Sequence, residues 1–155
     1  MAIHLIRHGS ASTRTENLAD RFRPLDEAGQ QQAAQIAALF SDRAVPAVYS
    51  SPATRCVQTV TPLALAHGLE IVERDDLYEG ADIDLIWEFM EGLARGADNA
   101  VLCSHGDLIP EIIHRAQLRG MLVEGKSGCS KGSIWSCTWD GERFSSGVYQ
   151  AVPKR

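Results

Sequence analysis

The sequence predicts an α/β sandwich on a mostly parallel sheet with an antiparallel pair at its end. Two observations set that class. Short aliphatic runs alternate four times with segments of helical periodicity. Near the C-terminus, Asp140-Gly141 separates Ser133–Trp139 from Arg143–Gln150, which is a strong hairpin signal. A third observation, 155 residues that are 45% apolar and 23% charged, fits one globular domain over residues 1–155 with a core of its own.

Ile3-His4-Leu5-Ile6 is short and aliphatic and reads as a buried first strand. It runs into Arg7-His8-Gly9-Ser10. Residues 9–25 are polar and read as a long loop of the kind that usually carries function. Asp26 is a good N-cap for a helix with Ala33, Ile36, Ala37 and Phe40 as its apolar stripe. Ala47-Val48-Tyr49 is a second strand, ending at Ser50-Ser51-Pro52, and Pro52 suits the first turn of the following helix. Cys56, Val57 and Val60 give that helix its inner face, Pro62 should kink it, and His67-Gly68 closes it.

Leu69-Glu70-Ile71-Val72 reads as a third strand. Asp82 caps a helix with Ile83, Ile86, Trp87 and Met90 on one face and Gly96 after its end. Ala100-Val101-Leu102-Cys103 is a fourth strand, ending at Ser104-His105-Gly106. The helix after it turns Ile109, Ile112, Ile113 and Ala116 inward and stops at Gly120. Residues 121–132 form a Gly/Ser-rich loop.

Composition narrows the function. The net charge is −5, which argues against general nucleic-acid binding. No apolar run reaches the ~18–20 residues of a membrane helix, and the N-terminus lacks the pattern of a secretory signal, so a cytoplasmic protein is expected. Cys56, Cys103, Cys129 and Cys137 have no metal-ligand or redox spacing and no His-Glu-x-x-His motif is present, so neither a metal nor another cofactor is expected. Arg outnumbers Lys by 12 to 3, and Arg7, Arg14, Arg21 and Arg23 lie in the first 23 residues. Guanidinium recognises phosphate and carboxylate through paired hydrogen bonds, so a small anionic ligand is indicated. A solvated surface is the plainer account of composition alone.

In an open parallel sheet, ligands bind beyond the carboxyl ends of the strands. Three predicted strand ends deliver Arg7 with His8, Arg55 one helical turn on, and His105 toward one edge. Glu79 lies in the loop after the third strand and can reach that edge. This set is chemically coherent. Two guanidiniums bind and neutralise a phosphoryl group. A neutral imidazole attacks phosphorus, a second imidazole and a helix N-terminus hold its oxygens, and a carboxylic acid protonates the leaving oxygen. Gly9 and Gly106 allow backbone close to the ligand. Each residue alone has an ordinary reading as a cap, a surface charge or an ion-pair partner; their joint placement is what carries the argument.

These residues resemble the histidine phosphatase, or phosphoglycerate mutase-like, superfamily. Leu5-Ile6-Arg7-His8-Gly9 is similar to its signature. Pro24-Leu25-Asp26-Glu27-Ala28-Gly29-Gln30-Gln31-Gln32-Ala33 is similar to its first helix start, with Asp26 in a Thr position. Tyr49-Ser50-Ser51-Pro52-Ala53-Thr54-Arg55-Cys56-Val57-Gln58-Thr59 is similar to its Ser-Ser-Pro segment, Leu77-Tyr78-Glu79 to its acid loop, and Val101–Gly106 to its second His motif. The resemblance implies a three-layer α/β/α sandwich on a mixed sheet. It implies His8 as a nucleophile that becomes phosphohistidine, Arg7, Arg55 and His105 as the phosphate pocket with backbone near Gly106, and Glu79 as proton donor.

The chain has no room for the insertions of cofactor-dependent mutases, so a hydrolase is expected. Glu79 leans toward a phosphate ester or anhydride; a phosphohistidine protein phosphatase is the alternative. Lys131-Gly132-Ser133-Ile134-Trp135 before the hairpin resembles the phosphatase-like C-terminal half of actinobacterial two-domain Nudix hydrolases. Lys131 and Arg14 are thus candidate substrate contacts, each with a solvated alternative. The expected partner is a small phosphorylated substrate, with nucleotide and phosphoprotein both open and the oligomeric state unreadable.

Two other readings compete. Cys137 and Arg143 have the Cys-x5-Arg spacing of a cysteine phosphatase, but the residues between them read as a hairpin turn with two carboxylates that would repel phosphate. A non-catalytic phosphate-binding module is the stronger rival, opposed by the presence of nucleophile, second His and acid together. Activity should peak on the mildly acidic side, where His8 is neutral and Glu79 protonated.

Overall fold

The computed structural model describes residues 1–153. Strands β1 (Ala2–Arg7), β2 (Val48–Ser50), β3 (Ile71–Glu73), β4 (Ala100–Ser104), β5 (Leu122–Val123), β6 (Ile134–Trp139) and β7 (Phe144–Gln150) form one sheet. Its order is β3-β2-β4-β1-β6-β7-β5. Of these, β6 alone runs against the others, pairing antiparallel with β1 and β7. The remaining pairs are parallel. Four helices flank the sheet: α1 (Glu27–Leu39), α2 (Thr54–Ala66), α3 (Ile83–Ala94) and α4 (Leu108–Leu118).

Period-two alternation splits the core into two layers. Ile3, Leu5, Ala100, Leu102 and Trp135 face α3 and α4, where Ile86, Trp87, Met90, Ile109 and Ile112 meet them. Ile6, Val48, Val101, Cys103 and Ile134 face α1 and α2, against Ile36, Phe40, Cys56, Val60 and Leu63. The expected three layers are therefore present. His4, on the second face, is a core residue: it packs edge-on against Phe40 and bonds Ser136 and Asn99. None of the helices among the described residues is long and apolar enough to cross a membrane.

The caps form as the sequence predicts. Asp26 accepts from Gly29 N at 2.8 Å and Asp82 from Asp84 N at 2.9 Å. Gly68 and Gly120 take φ of 66° and 106° after α2 and α4, a conformation glycine adopts without a side-chain clash.

Three local expectations are corrected. Pro52 does not lie in the first turn of α2, which begins at Thr54; Ser51 Oγ accepts from Ala53 N ahead of it. The third strand starts at Ile71, because Leu69 N closes α2 on Ala64 O and leaves the ladder. Residues 121–132 include β5, a two-residue strand too short to carry a periodic signal. The long loop is also partly ordered by an Ala11–Leu25 bridge and a 3₁₀ turn at Asp20–Phe22.

Two residues of the α1 start lock this loop. A Cβ on Gly29 would collide with the Ser10 carbonyl, so only glycine lets α1 lie against the chain leaving β1. Gln32 is buried; its Oε1 accepts from Ser10 N, and its Nε2 donates to the carbonyls of Lys131 and Val152.

Candidate active site

Register brings the candidates together. In the adjacent parallel strands β1 and β4, Arg7 pairs with Ser104, so the next residues, His8 and His105, leave the sheet side by side. Their ring centroids are 5.4 Å apart. On the other side of β4, β2 pairs with it and leads through Ser51 to α2, whose first turn carries Arg55. Ser50 O accepts from Arg74 N, while Ser51 N donates to Cys103 O and holds that corner to β4.

His8 is only 5% exposed. Its Nδ1 lies 2.8 Å from Gly9 O. A carbonyl can only accept, so Nδ1 carries the proton and Nε2 keeps its lone pair. Burial pushes the imidazole down to about 3; the Gly9 bond opposes this, and the charges of His105, Arg55 and Arg7 add to the lowering. His8 is therefore a neutral base with one free nitrogen.

Thr59 ties the pieces: Gly9 N donates to Thr59 Oγ1, which donates to Arg55 O. His105 is held at both nitrogens. Arg55 Nη2 lies 3.5 Å from Nδ1. Ser51 Oγ lies 2.8 Å from Nε2.

Arg7 Nη1 donates to Cys129 O at 2.6 Å, and its buried Nε has no partner. Arg55 is 1% exposed, with its Nε likewise unpartnered. Its Nη1 donates to Asp20 O, and Nη2 meets Asp20 Oδ2 at 3.2 Å and Glu79 Oε2 at 3.9 Å. Glu79 is 45% exposed. Its loop is pinned on both sides: Ser104 Oγ donates to Leu77 O, and Gly80 N donates to Asp107 Oδ2.

The structure thus gathers His8, Arg7, Arg55, His105 and Glu79. A Cβ on Gly106 would lie 2.6 Å from Arg7 Cζ, so the glycine permits the close approach of the Arg7 side chain. Arg14 reaches the cluster through Asp20, at 3.3 Å. Lys131 lines a separate cavity of about 360 Å³ with Gln32, Ser130 and the 151–153 tail.

Sequence reasoning missed Asp20, Ser51 and Asp107 as site residues. Ser51 and Asp107 stand beside recognised motif residues, and that adjacency was the available signal. Asp20 sits in a polar loop with nothing local to mark it.

Unpartnered guanidinium nitrogens, a buried neutral imidazole and an accessible carboxyl make an arrangement that can seat and transfer a phosphoryl group. Fold and site together are those of a candidate phosphoryl-transfer enzyme, with two histidines and two arginines at the carboxyl ends of the strands. A family model described as Histidine phosphatase superfamily (branch 1) matches residues 3–88, and the chain belongs to that superfamily. It is 32% identical over 137 residues to an 8-oxo-(d)GTP phosphatase of Mycolicibacterium smegmatis, covering 84% of this chain and 42% of that one. It is 35% identical over 82 residues to an uncharacterized protein of Mycobacterium tuberculosis, Rv0525, covering 52% of this chain and 41% of that one. The chain spans less than half the length of these curated relatives. Among solved structures, the protein histidine phosphatase SixA with tungstate aligns with a TM-score of 0.77 at 21% identity, over 97% of this chain and 95% of that one. The mycobacterial glucosyl-3-phosphoglycerate phosphatase Rv2419c aligns at 0.66 and 18%, over 96% and 95%. These likenesses show the shared fold.

Proposed function

We propose that this chain is a metal-independent phosphatase that hydrolyses a phosphate monoester or anhydride through a phosphohistidine on His8. The observation that carries this reading is the state of His8: buried, neutral, with Nδ1 spent on Gly9 O and Nε2 free beside Arg7, Arg55 and His105.

The Nε2 lone pair forms the new bond to phosphorus, and the phosphorus–oxygen bond to the leaving group breaks. Glu79 transfers its proton to the leaving oxygen. Arg7 and Arg55 neutralise the equatorial oxygens. The Ser51 hydroxyl can also donate to His105 Nε2, which leaves Nδ1–H to bind a phosphoryl oxygen. In the second half, water attacks phosphorus, Glu79 takes its proton, and the electron pair of the breaking P–N bond returns to Nε2. Guanidiniums supply the positive charge that a metal ion supplies in other phosphatases.

Glu79 beside Arg55 supports an oxygen leaving group, and the name of the M. smegmatis relative supports a nucleotide among the candidates. The four free thiols, three of them buried, support a reducing, cytoplasmic setting. Hydrolysis of 4-nitrophenyl phosphate in EDTA, with native protein beside His8→Ala, tests the mechanism. Activity that survives the chelator, is lost in the variant and leaves a phosphoryl adduct on His8 is the expected result. Unchanged turnover in His8→Ala overturns it. Nucleoside diphosphates, sugar phosphates and phosphohistidine protein then sort the substrate class.

A further inference from the structure

Arg55 and Arg7 differ in one respect. Among the described residues, Arg7 has no carboxylate within ion-pair distance; its Nη1 is held by a neutral carbonyl. Arg55 carries the Asp20 carboxylate on Nη2 and the Asp20 carbonyl on Nη1. A buried guanidinium without a counter-charge is costly, and the Asp20 carboxylate offsets that cost. It takes up a guanidinium nitrogen that a phosphoryl group bound to Arg55 would use.

Asp20 has a second mooring. Its Oδ1 accepts from Arg23 Nε at 3.0 Å and lies 3.3 Å from Arg14 Nε. A rotation of the side chain can release Arg55 Nη2 while Oδ1 keeps its arginines. Burial pushes this carboxyl up, but the Arg23 bond and the charges of Arg55, Arg23 and Arg14 outweigh it and hold it below the usual range. Asp20 is therefore an anion in competition with any other anion for one guanidinium nitrogen.

We infer that Asp20 is the internal competitor of the phosphate pocket: it yields Arg55 Nη2 to the incoming phosphoryl group, swings onto Arg14 and Arg23, and returns to Arg55 to expel the product phosphate. This rests on the reading that Arg7 and Arg55 hold the phosphoryl group. The carboxylate acts through Arg55 and makes or breaks no covalent bond. Tight binding of phosphate by two desolvated arginines slows its departure, and a tethered anion speeds that departure by taking back one of them. Arg14 and Arg23 matter to this cycle as the place where Asp20 waits.

The test is calorimetric titration of tungstate and inorganic phosphate into native protein, Asp20→Asn, Arg14→Ala and the double variant. Asn keeps an acceptor for Arg23 and removes the charge. Asp20→Asn should bind both anions about tenfold more tightly, the scale of one hydrogen bond to a charged group. In turnover, KM and the inhibition constant of product phosphate should fall together while kcat falls or stays level. Arg14→Ala should weaken anion binding in the native background, because Asp20 loses part of its mooring, and should have no such effect beside Asp20→Asn. Unchanged or weaker anion binding in Asp20→Asn, with the native protein binding tungstate, overturns the inference. Failure of the native protein to bind either anion overturns the phosphate pocket itself and with it the basis of this inference.

Discussion

Gly106 and Arg7 share a space that admits one of two things, a guanidinium or a Cβ. A Cβ on Gly106 would stand 2.6 Å from Arg7 Cζ and 2.8 Å from its Nε. The glycine after the second catalytic candidate is thus explained by the arginine before the first, across the β1–β4 pairing.

Gly106→Ala should therefore displace Arg7 while leaving the sheet intact. Loss of one well-placed donor costs on the order of 10²-fold in turnover. Steady-state hydrolysis of an aryl phosphate, with circular dichroism as the control on folding, reads this. Native kinetics in the variant would show that Arg7 contributes nothing to the pocket.

Glu79 should matter in proportion to the basicity of the leaving group. Glu79→Gln should lose little on 4-nitrophenyl phosphate, whose leaving oxygen needs no proton. On an alkyl phosphate the loss should reach about 10²-fold or more. His8, held down to about 3 by burial, stays neutral across the mildly acidic and neutral range, so its own protonation does not limit activity there. The pH profile of the native protein on the alkyl phosphate should differ from that of the variant, which has no proton to give. Equal losses on both substrates, with an unaltered pH profile, would remove Glu79 from the acid role.

Burial of His8 makes stability depend on pH. Its value is about 3 in the fold and 6.5 in the unfolded chain, so between these the unfolded state binds a proton that the folded state refuses. The contribution is fully present above about pH 6.5. It is lost as pH falls toward 3, at up to about 1.4 kcal/mol per pH unit. His4, also lowered by burial, adds to the same limb. Urea midpoints of native protein and His8→Gln between pH 7 and pH 4 should converge as the solution is acidified. Parallel curves would show that His8 titrates normally in the fold.

Gln32 links three separate segments through Ser10 N, Lys131 O and Val152 O. Gln32→Met keeps the volume and strands those groups. The expected loss is about 2–4 kcal/mol, from buried polar atoms left without partners. Denaturant unfolding measures it, and a change under half a kilocalorie per mole would show that water replaces the side chain.

The sequence by itself determined the alternation of strands and helices, the caps at Asp26 and Asp82, and the edge at which His8, Arg55 and His105 collect. Those features are local: they follow from periodicity, capping chemistry and the rule that parallel strands end on one side. It also carried the ordered motifs from Arg7 to Gly106. What it left unread depends on packing between distant segments. The start of β3 was set by the C-terminal closure of α2 on Leu69, a competition between two backbone partners. Asp20 meets Arg55 across 35 positions, through a loop with no periodicity of its own. The neutrality of His8 arises from the removal of water by its surroundings, which no motif encodes. Residue identity gave the reagents; only the tertiary structure decided their protonation, their partners and the carboxylate of Asp20 that meets Arg55.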